Sequence, residues 1–159
     1  MYKILIVDDE SIEREGISFL IEKYKLPLEV AQATNGKTAL EYMRTHPIDI
    51  LLTDVKMPQM DGLELARNTF EKYPDVRILV FSAYGEFEFA KKAMAAQAVS
   101  YLLKPIEVDE FQRVMAQILA QCDELAEKKK DEQQRGEEYR QQLLFRLVTG
   151  TGLGKAHST

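Results

Sequence analysis

The chain has 159 residues, 45% hydrophobic and 30% charged, with a net charge of -5 and a pI near 5.2. That length suits one ordinary domain plus an extension, and the acidic balance argues against binding nucleic acid by general electrostatics. No apolar stretch approaches the ~20 residues that span a membrane, and no signal-peptide pattern opens the chain. Its one cysteine, Cys122, allows no internal disulfide and no metal-ligand spacing. A cytoplasmic protein with no membrane partner is the expectation.

The first predicted element is a strand at residues 4–7, Ile-Leu-Ile-Val, apolar on both faces and ended abruptly by Asp8, Asp9 and Glu10. Ser11 is a candidate N-cap for a helix whose spacing marks Ile12, Gly16, Phe19 and Leu20. A strand at 30–33 precedes Asn35-Gly36, which opens a helix carrying Ala39, Leu40 and Met43. A strand at 50–53 is followed by a helix with Leu63, Leu65, Ala66 and Phe70. A strand at 78–81 leads to a helix with Phe87, Ala90 and Met94, and a strand at 101–103 to one carrying Phe111, Val114, Met115, Ile118 and Leu119 from Val108 on. Strand and helix alternate five times, and the strands are near-continuous apolar runs, as in a parallel sheet covered on both faces. The fold class is a doubly wound α/β domain over residues 1–121.

Residues 122–148 form a predicted helical linker. Seven-residue spacing joins Met115, Ile118, Cys122 and Leu125, falters at Lys129, Glu132 and Gly136, and resumes with Tyr139 and Leu143. An imperfect coiled coil fits this pattern, and so does a solvated helix or a partly disordered linker. Residues 149–159 are expected to be a mobile tail, part of it, GKAHST, reading as an appended remnant.

In open α/β sheets functional groups collect beyond the carboxyl ends of the strands. Four predicted strands end in polar groups there: Asp8 and Asp9, then Asp54, then Ser82, then Lys104 followed by Pro105. Each alone has a dull explanation as a cap, a turn former or a surface charge. Together they converge on one face. Three clustered carboxylates are costly unless a cation shares the site, and an oxygen-rich acidic cluster with room for water suits Mg²⁺. Lys104 on the opposite flank and the Ser82 hydroxyl would welcome a dianion. The set reads as a phosphoryl site with a carboxylate nucleophile.

Four stretches in order carry a family resemblance: VDDE at 7–10, DVKMPQMDG at 54–62, FSA at 81–83 and KP at 104–105. Over residues 1–121 the chain resembles the receiver domains of two-component response regulators. The stretch YGEFEFAKKAM, with LLKPIE after it, resembles the subset joined to an AraC-type helix-turn-helix module. The resemblance implies the CheY-like, flavodoxin-like strand order 2-1-3-4-5, with an extended C-terminal helix. It implies that Asp54 accepts a phosphoryl group from a sensor histidine kinase, and that Mg²⁺ is held by Asp8, Asp9, Asp54 and the backbone carbonyl of Lys56. Lys104 then pairs with the phosphoryl group, Ser82 bonds it, and Tyr101 is the aromatic switch. Pro58 and Gly62 shape the loop, and Pro105 follows a cis bond. Such a chain is a signalling receiver that catalyses its own phosphorylation and dephosphorylation, not an enzyme with a separate substrate. It is expected to form a homodimer and to reach DNA only through a C-terminal domain absent here; the chain is either the N-terminal piece of a longer regulator, the favoured reading, or works alone.

Lys56 and Tyr84 each lie two residues beyond a site residue, and either shield the acyl phosphate from water or simply face solvent. An aspartyl phosphatase would place its carboxylates as D-x-D on the first strand, which adjacent Asp8-Asp9 does not match. A flavodoxin-like binder would need a phosphate loop there, and none follows. A receiver used only for interaction would not need Asp8, Asp9, Asp54, Ser82 and Lys104 intact. His46 and His157 are isolated and read as surface residues.

Overall fold

A computed structural model describes residues 1–150 apart from 96 and 98. Five parallel strands, β1 (Tyr2–Val7), β2 (Leu28–Ala33), β3 (Ile50–Asp54), β4 (Arg77–Ala83) and β5 (Val99–Lys104), pair in the order β2-β1-β3-β4-β5. Helices α1 (Ser11–Lys23), α2 (Gly36–Thr45), α3 (Gly62–Lys72), α4 (Tyr84–Ala93) and α5 (Val108–Thr149) alternate with them. This is the expected doubly wound sheet with its extended C-terminal helix.

Successive strand side chains point to opposite faces, and the core divides accordingly. Ile4, Ile6, Ile50, Leu52, Leu79 and Phe81 face α1 and α5, packing with Ile17, Ile21, Phe111, Met115 and Ile118. Leu5, Val7 and Leu51 face the other way, onto Ala39 and Met43 of α2 and Leu65 of α3. Ile78 and Val80 meet Leu63 and Ala66 of α3 and Ala90 of α4. Burying each large aliphatic or Phe side chain contributes ~1.5–3 kcal/mol, so both strand faces work to hold the sheet.

Asn35 caps α2, its side-chain oxygen accepting from Thr38 N–H at 2.8 Å. Two expectations for α1 need correction. Its N-cap is Glu10, in extended backbone and without a side-chain cap bond, while Ser11 is already helical. Its inward residues are Ile17 and Ile21, with Ile12 73% and Phe19 60% exposed. The isoleucine pair at i, i+4 seats on the sheet, which turns Ile12 and Phe19 outward, where Phe19 takes the Lys23 ammonium over its ring at 5.9 Å. In α3 the inward residue at the last turn is Thr69, donating to Leu65 O, and Phe70 lies partly outside. Cys122 is buried.

The chain divides into two units, Met1–Cys122 and Asp123–Thr159. In the second, residues 123–149 are helical, and Tyr139, Leu143, Leu144, Phe145, Leu147 and Val148 are exposed. The helix stops at Gly150, whose positive φ of 65° and N–H bond to Arg146 O form a left-handed C-terminal cap. Of the tail expected to be mobile, residues 149–159, Thr149 ends the helix, and residues 151–159 lie outside the described residues. Among the described residues no helix is long and apolar enough to cross a membrane.

Candidate functional site

The parallel register brings the polar strand ends to one edge of the sheet. Asp8 follows β1 directly, its N–H donating to Ala33 O at 3.3 Å. Asp54 ends β3 opposite Phe81, and Lys104 ends β5 opposite Ala83. The sequence separates these groups widely, but the fold gathers them around a pocket of about 630 Å³ lined by Asp9, Asp54, Lys56, Pro58, Glu86 and Lys104.

The loop after β3 is drawn back on itself. Gly62 N–H donates to Val55 O at 2.8 Å, and a Cβ at position 62 would collide with the Asp54 carbonyl oxygen. Only glycine fits so close an approach. Between them Gln59 turns the chain with φ 68°, Pro58 lines the pocket, and Asp61 caps α3 by accepting from Glu64 N–H at 2.8 Å. The Lys104–Pro105 peptide is cis, as the resemblance implied.

The charges are arranged asymmetrically. Lys104 Nζ lies 3.1 Å from Asp54 Oδ2, 3.7 Å from Asp8 Oδ2 and 3.8 Å from Glu13 Oε1, with the Phe81 ring centroid 4.5 Å below it. Burial is the largest influence on its ammonium and works against the charge. Asp54, Asp8 and Glu13 together outweigh it and leave Lys104 above its ordinary pKa. For Asp8 burial wins. Fully enclosed, its carboxyl is pushed up to about 6, against the help of the Glu10 N–H and Lys104 and with the Asp54 charge adding to the rise.

Asp8 Oδ1 accepts from Glu10 N–H at 2.9 Å, whereas Oδ2 is buried and accepts no hydrogen bond from the described residues. Carboxylate oxygens of Asp8, Asp9 and Asp54 lie within 4.8 Å of one another. An all-oxygen donor set beside an orphaned buried carboxylate oxygen fits a hard divalent cation such as Mg²⁺. Lys56 adds its N–H, 3.5 Å from Asp54 Oδ1. Its ammonium reaches Glu86 at 3.7 Å with the side chain 84% exposed. Tyr84 is exposed as well.

Ser82 is buried on β4, one residue beyond the Phe81 that pairs with Asp54. Tyr101 is half-buried on β5, edge-on to Phe87 with ring centroids 6.3 Å apart, and burial raises its phenol pKa. It lines a second pocket of about 300 Å³ with Leu103, Pro105 and Glu110. Two residues beside the site escape sequence reasoning. Glu13 shares Lys104 with Asp54, and Arg14 donates to the Asp8 backbone oxygen at 2.6 Å. Their only signal would have been the orientation of α1, which its apolar spacing misstates.

The family model of the response regulator receiver domain matches residues 4–116. An uncharacterized transcriptional regulatory protein, YesN of Bacillus subtilis, is 41% identical over 122 residues, covering 76% of this chain and 33% of that protein. The transcriptional regulatory protein DegU of Brevibacillus brevis is 31% identical over 118 residues, covering 72% of this chain and 50% of that one. The chain therefore spans a third to a half of these relatives' lengths. A crystal structure of a two component transcriptional regulator AraC from Clostridium phytofermentans superposes with a TM-score of 0.72 at 36% identity, covering 78% of this chain and 97% of the other. The REC domain of AraT, a response regulator from Geobacillus stearothermophilus, does so at 0.67 and 38% identity, covering 80% and 98%. With the sheet order and the gathered acidic site already in place, the match has one meaning: the chain belongs to the receiver domain family of response regulators.

Proposed function

We propose that this chain is a phospho-accepting receiver. Asp54 takes a phosphoryl group from a phosphohistidine of a cognate sensor histidine kinase, in a Mg²⁺-dependent reaction. The observation that carries the reading is the pairing of Asp54 with Lys104 at 3.1 Å, inside an acidic cluster that also holds Asp8 and Asp9.

Asp8, Asp9, Asp54 and the Lys56 carbonyl would hold Mg²⁺. When bound, the ion neutralises charge on the transferring oxygens. A carboxylate oxygen of Asp54 forms a bond to phosphorus as the P–N bond of the phosphohistidine breaks, and the electron pair leaves with the imidazole, which takes up a proton. Lys104 then follows the new charge of ~1.5–2 units, and the Ser82 hydroxyl donates to a phosphoryl oxygen. The backbone beside Ser82 shifts, and Tyr101 turns into the space vacated. The face of α4, β5 and α5 is reshaped, which controls homodimerisation and a transcriptional output. DNA is reached through a further C-terminal domain. The similarity to the two component transcriptional regulator AraC and to the transcriptional regulatory relatives supports that output, and the heptad fragments of α5 support a coiled coil as its relay. The protein works in the cytoplasm and has no substrate beyond its own phosphorylation and dephosphorylation at Asp54.

The test is intact mass after incubation with acetyl phosphate and Mg²⁺. One phosphoryl addition, lost in Asp54→Asn or without Mg²⁺, is expected. Addition that persists in Asp54→Asn would move the nucleophile elsewhere. No addition, with Mg²⁺ bound, would make the domain an interaction module.

A further inference from the structure

The loop that carries the acidic pair is tied at four points. Asp8 N–H donates to Ala33 O, Glu10 N–H to Asp8 Oδ1, and Arg14 N–H to Glu10 O. The fourth bond, from Arg14 Nη1 to Asp8 O, measures 2.6 Å, and of the four it alone comes from a side chain outside the loop. It fixes the peptide plane between Asp8 and Asp9, and so the direction in which the exposed Asp9 carboxylate leaves the backbone.

Arg14 is itself held in place. Its Nε donates to Gln32 Oε1 at 3.0 Å, Gln32 Nε2 donates to Ser18 Oγ at 3.3 Å, and Ser18 Oγ donates to Arg14 O at 3.0 Å. The closed path joins the first turns of α1 to the edge strand β2. A planar guanidinium can serve two acceptors in fixed directions at once, which an ammonium cannot do with the same geometry.

From this path we infer that Arg14 is a positioning residue for cation binding, setting the Asp8-Asp9 peptide so that the Asp9 carboxylate faces Asp54. The inference rests on the proposed Mg²⁺ site and deepens it. Groups that orient metal ligands without touching the metal typically carry 10–100-fold of affinity, and Arg14 stands in that relation to Asp9.

The experiment is calorimetric titration of Mg²⁺ alone into wild type, Arg14→Ala, Arg14→Lys and Gln32→Ala, with urea unfolding of each in EDTA. Arg14→Ala is expected to weaken Mg²⁺ binding by about tenfold or more, with its folded fraction in EDTA close to that of wild type. Arg14→Lys should recover part of the loss, since an ammonium can still donate to Asp8 O. Gln32→Ala, at an exposed position, should shift affinity in the same direction by less, and keeps the inference testable if Arg14→Ala unfolds. Wild-type affinity in both Arg14→Ala and Gln32→Ala overturns the inference and leaves the proposed site standing. A loss in Arg14→Ala that the unfolded fraction fully accounts for, with wild-type affinity in Gln32→Ala, makes Arg14 merely structural and also overturns it. Absence of Mg²⁺ binding by wild type overturns the reading beneath it instead.

Discussion

Lys104 and Asp54 stand fifty positions apart in the chain, and their side chains meet at 3.1 Å. The contact places one ammonium where Asp8, Glu13 and Asp54 all reach it. It is the local counterweight to a cluster of carboxylates that would otherwise repel.

Removing that counterweight leaves the carboxylates uncompensated. Lys104→Met, with the stem retained and the charge lost, is expected to destabilise the protein in EDTA by about 1–3 kcal/mol. Added Mg²⁺ should restore part of the loss. Urea unfolding with and without Mg²⁺ measures both, and equal midpoints for wild type and variant in EDTA would contradict it.

The pH dependence of the metal-free protein follows from Asp8. Its carboxyl titrates near 6 in the fold and near 3.8 when free, so the folded state holds the proton more tightly than the unfolded one. The stability this contributes is complete below 3.8 and is lost as pH rises through about 6. Unfolding in EDTA should therefore become easier across that window. Asp8→Asn should flatten the slope and leave the metal-free protein more stable than wild type at neutral pH.

Two glycines should answer oppositely to the same change. Gly62→Ala forces a Cβ onto the Asp54 carbonyl, and a cost of about 1–3 kcal/mol is expected. At Gly16, inside α1, a Cβ would meet no other side chain or neighbouring element within 4 Å, so Gly16→Ala should stabilise by about 0.5–1 kcal/mol. Denaturation midpoints decide both.

Caps give a further contrast. Asn35→Ala removes the bond to Thr38 N–H and should cost about 1 kcal/mol. Ser11→Ala removes no cap bond, since Glu10 occupies that position, and should stay within about 0.5 kcal/mol of wild type. A larger loss for Ser11→Ala would show a role that the α1 terminus does not explain.

The sheet was legible chiefly through β1, β3 and β4, which are buried on both faces and so read as continuous apolar runs, whereas the edge strands β2 and β5 carry exposed Glu29, Gln32 and Leu103. The polar strand ends were legible for a related reason: strand ends in a parallel sheet share one edge, so Asp8, Asp54, Ser82 and Lys104 could be brought to that edge from order alone. The face of α1 was not. Ile12 and Phe19 compete with Ile17 and Ile21 for the inward position, and the choice depends on how the helix seats against β1 and α5, which spacing does not encode. The same rotation decides that Glu13 reaches Lys104 and Arg14 reaches Asp8, so both lay beyond sequence reasoning.

The bond from Gly62 to Val55 closes the segment after Asp54 into a ring of backbone that starts and finishes at the same place. For protein engineering this sets an unusual rule. Residues at the exposed apex, such as Gln59, are open to exchange for others that accept a left-handed turn, yet adding or deleting a single residue would break the closure and displace α3 from the Asp54 backbone it begins beside. Variation here is free in spelling and fixed in length.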